Sequence, residues 1–143
     1  MTRKLLNRLT RLHRYGERRA QVELGSAVAA HEMEQQALEN IRGGVAKSAA
    51  EVTAGSADEL RRHHEWALHA EAQLRQRAVG LKRIAAEVER RHEVLTDAMR
   101  ERRVVERFEE LVAEQERVSD RKAEQAQADE ATGASWHTKA DRQ

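Results

Sequence analysis

Neither proline nor cysteine occurs anywhere in this 143-residue chain. Without cysteine there is no disulfide framework and no thiolate metal site, a composition that fits a reducing compartment. Without proline, nothing breaks a helix from within. Aromatic residues are scarce at 3%, which leaves few large rings for a core. Hydrophobic residues make up 39%, much of it alanine. That amount suits a thin seam between helices better than a thick globular interior. No window approaches eighteen consecutive apolar residues, so no membrane span is expected. The basic N-terminus lacks the apolar stretch and cleavage site of a secretory signal. What remains is rich in Ala, Glu, Arg and Leu, with 36% charged residues, and such a composition favours long helices over sheets.

The longest regular stretch runs from Ser56 to Glu130 and holds a single glycine, Gly80. Its apolar row is Leu60, Ala67, Leu74, Leu81, Val88 and Leu95. A row repeating every seventh residue marks a helix lying along a partner helix. Ser56-Ala57-Asp58-Glu59 fits a capping box, with the Ser56 hydroxyl taking the Glu59 N–H and the Glu59 carboxylate reaching back. Gly55 suits a left-handed residue closing the helix before it. Thr53 to Ser56 therefore reads as a tight link, and Thr132-Gly133 as a stop.

The first helix begins near Arg3. Leu5, Leu9 and Leu12 recur at coiled-coil spacing, and Leu24, Val28, His31, Gln35, Leu38, Ile41 and Val45 resume the pattern. Gly43-Gly44 costs roughly 2 kcal/mol of helix propensity and is either a soft point or an alternative turn. With the link at 53–56, position i faces roughly 110 minus i. The expected fold is all-α: an antiparallel two-helix coiled-coil hairpin with the second helix longer. Its parts are helix 3–53, turn 53–56, helix 57–131 and a disordered tail 132–143. The expected seam holds Leu5, Leu12, Val28, Leu74, Leu81, Val88 and Leu95. Glu71, Arg77, Arg91 and His92 fall on or beside it, where charged residues fix register at some cost in stability.

Net charge is +1, but unevenly spread. Seven basic side chains stand among residues 1–20 against Glu17 alone, and residues 106–130 hold nine acids and four bases. Opposed ends suit a folded-back pair. Beyond about Glu106 the register arithmetic leaves the second helix uncovered, yet Phe108, Leu111, Val112 and Val118 lie there. This stripe is expected to bind a partner or a second copy. Glu106, Glu109, Glu110 and Glu114 would give it a negative rim, calling for a partner with basic edges. Arg8 and Arg11 would lie alongside, and Trp66, near the hairpin tip, is either packed core or an exposed anchor. The histidines at 31, 63, 64, 69 and 92 lack ligand spacing and read as seam or surface residues. No phosphate cradle, nucleophile–base pair, metal set or cofactor site is found, and a two-helix hairpin offers little concavity for a substrate. The reading is therefore not an enzyme. Nucleic acid is disfavoured, since Tyr15 is the sole aromatic at the basic end and its leucines call for a protein partner.

Three segments together resemble a known family. They are Arg3-Lys4-Leu5-Leu6-Asn7-Arg8-Leu9-Thr10-Arg11-Leu12, the run from Met99 through Arg100-Glu101-Arg102-Arg103 to Leu111, and Arg121 to Ala131 with its Asp129-Glu130 pair. They are similar to the opening, the arginine–glutamate run and the closing stretch of the FliJ family of flagellar export proteins. Type III secretion stalk proteins of the YscO group share the layout. The opening departs from the family in lacking phenylalanines. The resemblance implies an antiparallel coiled coil like a rotary-ATPase stalk. It implies as partners the hexameric export ATPase, the export gate membrane protein and export chaperones. It also implies a cytoplasmic location at the inner-membrane face, with membrane association through those partners. The alternatives are a stalk subunit of a membrane rotary ATPase or a plain structural coiled coil, and after them a basic helical nucleic-acid-binding protein.

Overall fold

The computed structural model describes residues 2–52 and 55–142. It is an all-α hairpin of two helices, α1 (Arg3–Val52) and the longer α2 (Ala57–Ala140). Packing divides the chain into two units. One joins the segment ending at Arg14 to the segment starting at Arg100, and the other spans Tyr15–Met99.

In the Tyr15–Met99 unit, α1 turns a heptad row toward α2. Ala20, Leu24, Ala27, Leu38, Ile41 and Val45 are buried or half-buried. From α2, Leu74, Leu81, Val88 and Leu95 are half-buried. They alternate with Arg77 and Arg91, which bond across to α1, and so they share that face. Polar pairs cross the seam at intervals. Arg77 donates to Glu34 at 3.2 Å, Arg91 to Glu23 at 2.8 Å, and Ser48 Oγ lies 2.8 Å from His63 Nδ1. These groups are partly exposed, so each pair contributes little stability. A slipped register would leave them unpaired, and that is how they specify it. Glu71 instead pairs with Arg75 along its own helix, and His92 is exposed.

The expected α1 seam is one residue out. Leu5, Leu12 and Val28 are exposed, Leu12 at 66%, while Leu6 is 1% exposed and Leu38 3%. The reason lies in the two candidate rows. The row through Leu5 and Leu12 runs into Arg19 and Ser26. The row one residue later runs through Leu6, Thr10, His13, Glu17, Ala20 and Leu24 without a skip, and joins the later apolar pattern directly.

Of the expected link, Thr53 and Ala54 lie outside the described residues. Gly55 donates its N–H to the Val52 carbonyl at 3.0 Å. It does not adopt the left-handed conformation expected of it. A Cβ there would meet the Glu59 carboxylate, the end of a flexible exposed side chain that can swing aside, so space does not demand glycine either. The Ser56 hydroxyl accepts from the Glu59 N–H at 3.4 Å. α1 runs unbroken through Gly43-Gly44.

α2 also passes through Thr132-Gly133, the expected stop, to Ala140. Gly133 has no positive φ and so does not cap. The Thr132 hydroxyl bonds back to the Ala128 carbonyl at 2.8 Å and Thr138 to that of Ala134 at 3.0 Å. His137 and Lys139 place basic charge in the last turn, where it complements the helix dipole.

Candidate functional site

The unit holding the start of α1 and the end of α2 carries the candidate site. Its register at Thr10 and Arg3 differs from the sequence arithmetic by about nine residues, more than one heptad. Thr10, expected opposite residue 100, donates its hydroxyl to Glu109 at 3.0 Å. Arg14 reaches Glu106 at 3.5 Å and Arg3 reaches Glu116 at 3.6 Å. α2 beyond Glu106 is therefore not left uncovered; α1 accompanies it as far as Glu116. Polar chemistry explains the displacement. Thr10 is buried, and its hydroxyl needs an acceptor. Leu6, next on the same row, is the most deeply buried large side chain.

The apolar residues of α2 split between two faces as a result. Val112 is half-buried, in the heptad row of Val105 and Glu109, on the side of α1. Val104, Phe108 and Leu111 stand beside that row at four-then-three spacing and are 69%, 47% and 50% exposed. With Leu6 and Leu9 of α1 they line a groove of about 640 Å³. A smaller continuation of about 550 Å³ carries Phe108 and Leu111 on past Val112 and Glu114 to Val118 and Lys122. Val118 is exposed. Phe108, Leu111, Val112 and Val118 are thus brought together. Arg8 and Arg11 are exposed on α1 and line neither groove.

The expected negative rim is in place only in part: Glu114 lines the continuation beside Phe108 and Leu111. Glu106 accepts from Arg102 at 2.8 Å and from Arg14 at 3.5 Å, and Glu109 is taken by Thr10. Both acids are turned toward α1. The charged groups left along the apolar groove are Arg103 and Arg107. The hydrogen bond from Arg102 holds the Glu106 carboxyl below its ordinary range, with help from Arg14 and against partial burial.

Sequence reasoning missed Arg103, Val104 and Arg107 as parts of the site. The spacing of Val104, Phe108 and Leu111 was the available signal. Their face depends on where Glu109 points, and the seam position of Leu6 decides that.

Trp66 belongs to the Tyr15–Met99 unit. It is partly exposed and tilted against His63, with ring centroids 6.0 Å apart. His63 is held in turn by Ser48. Nearby, Val45, His64, Leu68 and Leu74 line a smaller hollow of about 330 Å³. Among the described residues no group of three or more His, Cys, Asp or Glu could hold a metal ion. None of the described helices is long and apolar enough to cross a membrane.

No curated protein and no solved structure matches the chain. The profile of the family described as Flagellar FliJ protein matches residues 3–141, nearly its full length.

Proposed function

Because the chain belongs to the flagellar FliJ protein family, we propose that it works as a non-enzymatic stalk or adaptor that links the export ATPase to the export gate and assists export chaperones. Membership makes it a flagellar export-associated protein. The finer role is our reading, and one observation supports it above others. The two-helix unit that begins α1 presents Val104, Phe108 and Leu111 half-exposed or more beside Leu9. A contiguous apolar face of this kind is an interaction surface rather than a stable solvent face. An adaptor needs no pocket with convergent titratable groups. It needs side chains that dock, and those are the side chains this unit presents. Its place in this reading is the cytoplasmic face of the inner membrane, reached through its partners.

The test is Phe108→Ala combined with Leu111→Ala in a strain lacking the native gene. Helicity and melting are expected to stay close to those of the parent chain, because both side chains stand outside the seam. Pull-down of the export ATPase and swimming motility are expected to be lost. A double variant that swims normally and still retains the ATPase would overturn the reading.

A further inference from the structure

We infer that the groove between Leu9 and the Val104–Phe108–Leu111 row receives an acidic amphipathic helix from a partner protein. The inference deepens the proposed function by concerning the same face, but it is argued from the groove alone. Apolar side chains of both helices frame it. Leu6 and Leu9 line it from α1, and Val104, Phe108 and Leu111 follow one another at i, i+4, i+7 on α2. An apolar bed between two helices is one on which a third helix packs. From Val104 to Val118 the apolar row extends roughly 21 Å, the length of a helix of about fourteen residues.

Charge decides which helix fits. The charged residues lining the groove are Arg103 and Arg107, and its continuation toward Val118 adds Glu114 and Lys122. Glu106 and Glu109 are turned away and held by Arg102, Arg14 and Thr10. Glu110 offsets Arg107 by a 2.9 Å pair, but both groups are well exposed, so that pair gives way to a partner carboxylate at little cost. An occupant with glutamates or aspartates flanking its apolar stripe would meet Arg103 and Arg107 along the α2 edge. One with lysines would meet like charge.

A second copy fits poorly. A two-fold contact centred between Arg103 and Arg107 would set Arg103 of each chain against Arg107 of the other. The acidic end of α2 in another copy has Val118 as its only large aliphatic residue between Ala113 and Ala131, so it offers no apolar row.

The experiment uses the full chain and two fluorescein-labelled helical peptides of about eighteen residues. Both carry one leucine stripe, flanked by glutamate in the first and by lysine in the second. Anisotropy at about 0.1 M salt is expected to show the glutamate peptide binding at least about tenfold more tightly. Arg103→Glu with Arg107→Glu should invert that order, and Phe108→Ala with Leu111→Ala should weaken the glutamate peptide by a similar factor. Circular dichroism confirms that each variant is folded. Equal binding of the two peptides, binding of neither, or an order unchanged by charge reversal would overturn the inference. So would a dimer, seen by light scattering, that dissociates in the Phe108/Leu111 variant. If the peptide preference stands while the same variant retains the ATPase and motility, the stalk reading fails and this inference survives.

Discussion

Glu106 gathers two guanidiniums, Arg102 from its own helix and Arg14 from α1. Its carboxyl is held below the ordinary range chiefly by the Arg102 hydrogen bond. A depressed folded value means the stabilisation is fully present above the unfolded-state pKa and is lost as pH falls through the folded one. Thermal melts stepped down in pH should therefore show an acid-side loss, and Glu106→Gln should reduce that loss while lowering stability at neutral pH. The two leucine rows of α1 give a sharper contrast. Leu38→Ala removes a side chain that is almost fully buried and should cost about 2–3 kcal/mol in urea unfolding, the low end for core leucines because the seam is thin. Leu12→Ala touches the exposed row and should stay within about 0.5 kcal/mol. Reversed magnitudes would mean that the row through Leu5 and Leu12 is the seam after all.

At the scale of the element, the row of α2 was legible because it is single: Leu74, Leu81, Val88 and Leu95 recur without a competitor. On α1 two rows lie one residue apart, and leucine content favours the wrong one. What selects the right one is polar. Thr10, Glu23, Glu34 and Ser48 each find a partner across the seam only in the observed register. Sequence arithmetic anchored at the turn cannot weigh such pairs, and so it counted Glu106 and Glu109 in the rim although both turn toward α1. The position of the stripe at Phe108 and Leu111 could be read; what stands around it could not. Two measurements follow for α1. Arg77→Glu should destabilise by setting like charges opposite each other, and adding Glu34→Arg should restore most of the loss. A double-mutant cycle on the melting curves gives the coupling directly. Gly43→Ala and Gly44→Ala should each stabilise by about 0.5–1 kcal/mol, because both sit inside a continuous helix with open space where a Cβ would go. A loss at either position would show that the glycine serves something other than local folding.

Among the described residues of the whole molecule only Leu6, Thr10, Ala20, Leu38 and Ala70 are buried. Stability is therefore concentrated in the segments where two helices accompany each other. The last of the observed bonds from α1 to α2 in chain order reaches Glu116, through Arg3, and every described residue from Glu114 onward is exposed. The bonds beyond that point run within α2, such as Thr132 to Ala128 and Thr138 to Ala134. They support a helix and add no burial. A chain ended after Lys122 should therefore lose helical ellipticity in proportion to the residues removed, yet melt within about 2–4 °C of the full chain. It should also keep its preference for the acidic peptide, since the groove closes at Leu111. A chain ended after Arg103 would lose Glu109 from Thr10, Glu106 from Arg14 and the cover over Leu6, and its melting should fall well beyond that margin. If instead the shorter cut alone produced the large fall, the end of α2 would be packed against something, and a concentration dependence of the full chain's melting would identify that as another copy.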